Sequence, residues 1–223
     1  MEKGKGTMRW QSKKTGTAQG KNSIKIYRIV IIAAILFISY PVWAGPVTDQ
    51  IKQKIDKALT VLKDKSLKAP GMESKRKEVL RSVGDELFDW EEMAKRSLAV
   101  YWRDRSPEEK KEFVKLFTDL LERTYMSKIE GYSGEKILYT NEAVDNQYAL
   151  VETKVVTKQD VEYPVNYWVI NRQGRWMVYD VSVEGVSLVK NYRTQFNEIL
   201  ARSSYQELVK KLKEKQESPV PKS

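Results

Sequence analysis

The 223-residue chain contains no cysteine and no histidine, and these two absences exclude several kinds of chemistry. Zinc sites of the usual His/Cys type, cysteine nucleophiles and imidazole acid–base groups each require one of the missing side chains. Disulfide bonds are excluded as well, so packing alone must hold the fold together. The hydrophobic fraction of 41%, with 6 Trp, 12 Tyr and 5 Phe, is sufficient for one sizeable core.

The positive charge of the chain is concentrated near its start. The formal net charge is +10, and residues 1–44 contain eight Lys and Arg against one acid, which accounts for +7. The other residues carry 32 basic and 29 acidic side chains, a net charge of only +3. Nucleic-acid binding is therefore disfavoured, because the region expected to fold has no large basic excess.

Residues 1–44 have the layout of a secretory signal peptide. A basic segment precedes an uncharged run from Ile29 to Tyr40, and Pro41 follows it. Val42 and Ala44 then occupy the small-residue positions of a cleavage site after Ala44. A membrane span needs about 20 apolar residues, so the run is short for one. We expect cleavage after Ala44 and export, with an uncleaved membrane anchor as the alternative.

Apolar residues at helical spacing predict helices in the first part of the remaining chain. Asp89 is expected to cap one helix while Glu92 reaches back to the Asp89 amide. Ser106 and Glu109 form a second capping box, and this helix carries a wide apolar stripe. The predicted helices cover residues 47–68, 74–87, 90–102 and a segment that begins after Ser106.

The pattern changes to strands and then returns to helix. Segments rich in Val, Ile, Tyr, Trp and Thr, separated by short polar turns, predict four antiparallel strands in a meander. The strands cover residues 136–143, 148–157, 161–171 and 175–183, and two helices follow at 187–201 and 204–215. This order predicts an α+β domain over residues 45–217, with helices covering one face of the sheet and a flexible tail at 218–223.

The aromatic residues on the sheet and helices allow two interpretations. They either fill a solid core, or they line an apolar cavity that takes a long hydrophobic ligand. Periodicity does not distinguish the two, because a lined cavity and a filled core give the same pattern. Asp180 and Glu184, four residues apart near a strand end, are the carboxylates that an enzyme would use, although solvated surface charges have the same spacing.

Several motifs in this order resemble the MlaC family of phospholipid-binding, or toluene-tolerance, periplasmic proteins. They are Phe88-Asp89-Trp90-Glu91-Glu92-Met93-Ala94, Tyr101-Trp102, Ser106-Pro107-Glu108-Glu109, the segment Glu130 to Glu135, and Glu184 to Phe196, which ends in Asn-Tyr-Arg-Thr-Gln-Phe. The resemblance covers nearly all of residues 46–213. It implies a nuclear-transport-factor-like cone with extra N-terminal helices, which holds acyl chains inside and leaves the headgroup largely outside.

The resemblance also implies a function and a set of ligand contacts. The protein would carry phospholipid between an outer-membrane lipoprotein complex and the substrate-binding subunit of an inner-membrane ABC transporter, without catalysis, cofactor or metal. Arg193 is the candidate contact for the lipid phosphate, with a structural ion pair as its alternative role. The predicted lipid-binding residues are Trp102, Phe113, Phe117, Leu120, Leu121, Tyr148, Leu150, Val165, Tyr167, Val169, Trp176, Val178, Tyr192, Arg193 and Phe196.

Three other functions remain open at this point. Relatives that share the fold are associated with hopanoids, so another apolar lipid is one alternative ligand. An isomerase-like enzyme would place a carboxylate in the cavity, and Asp180 is the only plausible acid in the predicted strands. A membrane-tethered scaffold would instead have a filled core and an intact leader.

Overall fold

A computed structural model describes residues 45–217 of the chain. The predicted signal peptide at 1–44 and the predicted tail at 218–223 lie outside the described residues. No helix within residues 45–217 is long and apolar enough to cross a membrane. The elements, in chain order, are α1 (Pro46–Lys63), α2 (Glu73–Leu87), α3 (Trp90–Leu98), α4 (Pro107–Glu130), β1 (Lys136–Asp145), β2 (Tyr148–Val156), β3 (Glu162–Arg172), β4 (Arg175–Val183), β5 (Val186–Ser187), α5 (Leu188–Leu200) and α6 (Tyr205–Glu217).

The strands form one antiparallel sheet in the order β1-β2-β3-β4-β5, so each strand pairs with its neighbour in sequence. The predicted α+β fold and meander are confirmed, and the two-residue β5 is an addition to the four predicted strands. The turns after β3 and β4 use positive φ at both central residues, with 56° and 86° at Gln173 and Gly174 and 51° and 81° at Glu184 and Gly185. This is the type I′ geometry, whose twist matches that of the paired strands.

An irregularity in β4 controls which side chains face α1. Trp168 lies opposite Asp180, but Val169 lies opposite Val178, so β4 contains one extra residue at this point. Residues three apart in a regular strand face opposite sides of a sheet. Because of the extra residue, Val178 and Val181 instead both pack into the same core.

Two helix ends differ from the predicted positions. The first helix ends at Lys63 rather than at residue 68, because Asp64 has an extended ψ of 112°. The third helix ends at Leu98, where Ala99 has a positive φ of 51° and a 3₁₀ turn continues to Trp102. The chain between α1 and α2 therefore consists of turns rather than helix.

The first hydrophobic core lies between α1 and the sheet, and we call it the α1–sheet core. The residues of α1 recur at spacings of four, so that one face of the helix lies against the strands. Fully burying one such side chain contributes roughly 1.5–3 kcal/mol. Its buried members are Val47, Ile51, Ile55, Leu87, Ala149, Val151, Val169, Trp176, Val178 and Val181.

The second core is built from α3, α4, α5 and α6, and we call it the four-helix core. Its centre is a group of aromatic rings in edge-to-face contact, with centroids 5.4 Å apart for Phe117 and Tyr192 and 5.7 Å apart for Phe113 and Phe196. Such pairs contribute about 0.5–1.5 kcal/mol each beyond the area that they bury. Leu98, Leu116, Leu120, Leu208 and Leu212 complete the packing around them.

The predicted capping of α3 is partly correct. The Asp89 side chain accepts a hydrogen bond from the Glu92 amide at 2.9 Å, as expected of a cap. Glu92 does not complete the box, because the Asp89 amide donates to the Val178 carbonyl at 2.8 Å. The Glu92 carboxylate instead pairs with Arg96 at 2.8 Å and with Arg172 at 3.2 Å, which joins α3 to the end of β3.

Candidate functional site

An apolar cavity of about 340 Å³ lies between the helices and the sheet. Its volume falls within the range of about 300–1,000 Å³ that is usual for small-molecule sites. The walls come from α1, α2, α4, the chain around the start of α3, the middle of β3, the end of β4, and the start of α5. The lining residues are Ile55, Ala58, Leu80, Arg81, Val83, Gly84, Leu87, Phe88, Trp90, Met93, Leu121, Glu122, Tyr125, Met126, Ile129, Tyr167, Val181, Val183 and Leu188.

The wall formed by α2 is apolar and includes a small residue. Leu80, Val83 and Leu87 recur at spacings of three and four and are all buried. Gly84 lies beside them, and a Cβ atom at this position would meet only the Trp90 ring, at 3.5 Å from Cζ2. The glycine therefore leaves space that a larger side chain would occupy.

Another wall is formed by the C-terminal half of α4. Leu121, Tyr125 and Ile129 are spaced four residues apart and lie along one side of the helix, with Met126 next to them. The N-terminal half of α4 contributes Phe113 and Phe117 to the four-helix core instead. One long helix thus fills a core at one end and lines the cavity at the other.

Two charged residues interrupt the apolar lining. Arg81 of α2 and Glu122 of α4 form an ion pair, with 3.2 Å between Arg81 Nε and Glu122 Oε1. The Arg81 side chain is 47% exposed and that of Glu122 is 21% exposed, so the pair lies at the edge of the cavity. Burial raises the pKa of Glu122, and the positive charge of Arg81 opposes that shift.

Two tyrosines also line the cavity, and both hold their phenolic protons more firmly than free tyrosine. Burial raises the pKa of Tyr125 to about 12, with a further contribution from Tyr192 and its hydrogen bond. Burial raises the pKa of Tyr167 to about 12, and a hydrogen bond with Thr153 opposes the shift. Both side chains therefore stay neutral at physiological pH and present rings to the interior.

The cavity opens to solvent between the end of α4 and the end of β4. Ile129 and Val183 line the cavity, yet they are 45% and 43% exposed. Val186, which pairs with Val183 across the β4–β5 turn, is also exposed. An apolar rim of this kind lets a hydrophobic ligand reach the interior without crossing a charged surface.

The structure brings two of the predicted lipid-binding residues, Leu121 and Tyr167, to the cavity wall. The other thirteen lie outside the lining. Five of them, Phe113, Phe117, Leu120, Tyr192 and Phe196, are buried in the four-helix core, and Trp102 packs on it. Val169, Trp176 and Val178 are buried in the α1–sheet core, and Val165 packs against that core.

Three further predicted residues lie away from the cavity. The Tyr148 ring contacts the Tyr179 ring, with centroids 5.9 Å apart. Leu150 is half-buried on β2, and Arg193 is exposed on α5. Arg193 is not among the lining residues, and Arg81 is the basic residue of the described cavity wall.

The carboxylate considered for an enzyme has a structural role. Asp180 accepts hydrogen bonds from the Val189 amide at 3.0 Å and from the Ser187 hydroxyl at 2.5 Å. These contacts hold the start of α5 against β4, since the first amides of a helix have no partner within it. Asp180 lies outside the cavity lining, and Glu184 is exposed in the type I′ turn.

The cavity residues on α2 were not predicted from the sequence. The spacing of Leu80, Val83 and Leu87 in the sequence indicates one apolar face of a helix, but nothing in that spacing assigns the face to an open space. Gly84 is the signal that was available, because a glycine in the middle of an apolar helical face costs about 1 kcal/mol relative to alanine and leaves a gap.

Comparisons with known proteins found related sequences and a solved structure with a similar fold. The chain is 26% identical over 128 residues to the intermembrane phospholipid transport system binding protein MlaC of Haemophilus influenzae, a match that covers 55% of this chain and 60% of that protein. It is 31% identical over 104 residues to the toluene tolerance protein ttg2D of Pseudomonas putida, which covers 46% of this chain and 48% of that protein. The chain thus matches between half and three-fifths of the length of these curated relatives.

A solved structure shares the fold. It is a phospholipid-binding protein from Ralstonia solanacearum in complex with a phospholipid, with a TM-score of 0.68 and 21% identity, and the match covers 76% of this chain and 96% of that one. The model of the MlaC protein family matches residues 52–214, which is most of the chain. The chain therefore belongs to the MlaC family.

Proposed function

We propose that the protein is a carrier of phospholipid, and that the cavity between α2, α4 and the sheet holds acyl chain. The observation that carries this proposal is an apolar cavity of about 340 Å³, open at one rim, in a member of the MlaC family. The two relatives named for phospholipid, from Haemophilus and Ralstonia, support the same ligand class. A hopanoid or another apolar lipid remains the alternative ligand, because the walls recognise hydrocarbon rather than a particular lipid.

Hydrocarbon transfer explains why such a lipid needs a carrier. Each methylene group removed from water contributes about 0.8 kcal/mol, so two acyl chains represent roughly 20 kcal/mol or more. Spontaneous escape of the lipid from a membrane into water is therefore negligible. A protein that covers the chains while the lipid crosses water lowers this barrier without any chemical reaction.

The size of the cavity indicates how much lipid this conformation holds. A methylene group is similar in size to a water molecule, about 30 Å³. A cavity of about 340 Å³ thus has room for roughly eleven methylene groups, or most of one acyl chain. Two chains of about fifteen methylenes each need roughly 900 Å³, which is more than the cavity holds in this conformation.

Lipid analysis of the native protein tests this function. The protein is purified from its own host, and its mass is measured under native conditions before and after organic extraction. We expect a bound mass that matches phospholipid and that extraction removes. A lipid-free native mass, together with no uptake from labelled phospholipid vesicles, would contradict the proposal, and an extracted hopanoid would favour the alternative ligand.

We also propose that the carrier works in the periplasm, after cleavage of the signal peptide behind Ala44. Its donor and acceptor would be an outer-membrane lipoprotein complex and the substrate-binding subunit of an inner-membrane ABC transporter. The leader pattern and the family membership support this. Intact mass of the exported protein tests the first step, since cleavage predicts a chain that begins at Gly45.

Lipid transfer tests the partners. Protein loaded with labelled phospholipid is mixed with vesicles that contain the ABC transporter complex, and separately with vesicles of the same lipids without it. We expect label to move faster to the vesicles that contain the complex. Equal rates for the two kinds of vesicle would contradict the proposed partner while leaving lipid binding intact.

A further inference from the structure

The Arg81–Glu122 pair places charges of both signs at the edge of an otherwise apolar cavity. The two side chains come from different helices, α2 and α4, and both belong to the cavity wall. They lie 3.2 Å apart, and Arg81 also donates a hydrogen bond to Asp119 at 3.1 Å. Polar groups avoid the apolar interior, and Arg81 and Glu122 are the two charged residues of the described lining, so they are the charges that the wall offers to the polar end of a ligand.

The two carboxylates that contact Arg81 differ in how well they are satisfied. Asp119 also accepts hydrogen bonds from Lys115 at 2.7 Å and from Gln216 at 3.2 Å. Glu122 Oε1 is buried and, among residues 45–217, accepts no hydrogen bond, although Arg81 Nε lies close to it. A buried polar atom without a hydrogen bond costs about 1–3 kcal/mol. Of the two carboxylates, Glu122 is therefore the one that a hydrogen bond from a ligand would stabilise more.

We propose that Arg81 and Glu122 bind the headgroup of a zwitterionic phospholipid that carries a primary ammonium. The Arg81 guanidinium holds the phosphate, and Glu122 Oε1 accepts a hydrogen bond from the ammonium. This inference rests on the proposed function and assigns its headgroup. The headgroup carries one charge of each sign, so Arg81 pairs with the phosphate and Glu122 with the ammonium. Neither side chain is then left buried without an opposite charge.

An anionic phospholipid fits the same place less well. Its phosphate attracts Arg81, but it has no cation to offer Glu122. Arg81 would then leave Glu122 unpaired beside a new negative charge, with Asp119 also near. Like charges close together in a partly buried site disfavour binding. The geometry thus favours phosphatidylethanolamine over phosphatidylglycerol.

A second ion pair between the same helices provides a matched control. Arg76 of α2 contacts Glu130 of α4 at 2.9 Å, and both side chains are partly buried. Neither residue lines the cavity. Glu130→Gln therefore makes the same change in net charge as Glu122→Gln, on the same helix, without altering the cavity wall. Effects of surface charge on encounter with vesicles are common to both variants and cancel.

Competition between two lipids tests the assignment. Wild-type protein and both variants, each purified from the native host and stripped of lipid, are incubated with vesicles of equimolar phosphatidylethanolamine and phosphatidylglycerol. Native mass spectrometry then gives the ratio of the two bound lipids. We expect wild type and Glu130→Gln to favour phosphatidylethanolamine at least about fivefold, the factor typical of one hydrogen bond, and Glu122→Gln to bring the ratio close to one.

Each other outcome has a definite meaning. A ratio near one in wild type, or an equal loss of preference in Glu130→Gln and Glu122→Gln, overturns the headgroup assignment while lipid binding stands. Arg81→Gln is expected to lower uptake of both lipids. Unchanged uptake would contradict the proposal that Arg81 binds the phosphate. If no variant and no wild-type sample binds either lipid, the proposed function fails, and the headgroup assignment fails with it.

Discussion

Filling the cavity from α1 should release lipid without unfolding the protein. Ala58 is half-buried on α1 and lines the cavity, so the side chain of Ala58→Phe would extend into the open space. Phenylalanine has weaker helix propensity than alanine by about 0.5 kcal/mol. Burial of the new ring contributes more than that, about 1.5 kcal/mol or more. We therefore expect the variant to melt no lower than wild type.

The expected loss of lipid follows from the volume that the ring occupies. The added ring takes the space of roughly four to six methylene groups, out of room for about eleven in the cavity of about 340 Å³. At about 0.8 kcal/mol for each displaced methylene, binding weakens by about 3–5 kcal/mol. This corresponds to a loss of affinity of about a hundredfold or more.

The assay compares retention of a labelled phospholipid after gel filtration and in competition with empty vesicles. Gln53→Phe, an exposed position on the same helix, is the matched control, because it adds the same ring outside the cavity. Circular dichroism and thermal melting confirm that both variants fold. If Ala58→Phe is folded and retains as much lipid as Gln53→Phe and wild type, the acyl chain lies elsewhere and the reasoning is refuted.

Three further predictions concern stability. Gly84→Ala should stabilise the protein by about 0.5–1 kcal/mol in thermal or urea unfolding, because its Cβ meets only Trp90 and helical glycine is unfavourable; a lower midpoint would contradict this. Tyr167 has a pKa of about 12 in the folded protein against about 10 when unfolded, so the folded state binds the phenolic proton more tightly. The free energy of unfolding should therefore fall between pH 10 and 12, and it should fall less steeply in Tyr167→Phe. Asp89→Ala should lower the free energy of unfolding, measured in urea, by about 2–3 kcal/mol, because it removes both the cap of α3 and the carboxylate 2.7 Å from Arg172. Asp89→Asn keeps the cap, so its free energy of unfolding should fall clearly less.

The sheet could be predicted closely from the sequence because its turns are chemically marked. Gln173-Gly174 supplies the two positive φ values that a two-residue hairpin needs, and Asn146 and Asp160 each supply one in the other two predicted turns. Alternation of apolar residues then fixes the strands between them, and each predicted strand end lies within about two residues of the observed one. The extra residue in β4 was not predicted, because a bulge changes the alternation without a distinct composition.

The candidate site was harder to predict than the fold. Helical periodicity identifies Phe113 and Phe117 as buried, but the same pattern arises whether a face meets side chains or an open space. In the structure their rings contact the Phe196 and Tyr192 rings of α5 edge to face. The cavity instead forms where the side chain is missing or small, at Gly84 and Ala58. A single sequence does not show where two packed elements leave the space between them unfilled.

The cavity lies where the two hydrophobic cores meet, and this position suits a carrier. Ile55 and Val181 of the α1–sheet core face it from one side, and Met93 and Leu121 of the four-helix core from the other. We expect the walls to separate at this boundary, because the buried residues on each side belong to a separate core. In this conformation the cavity covers about eleven methylenes, roughly 9 kcal/mol of hydrocarbon transfer. Because an acceptor membrane buries the same methylene groups, the hydrocarbon free energy largely cancels between carrier and membrane, and a boundary that widens would let the chains leave in stages.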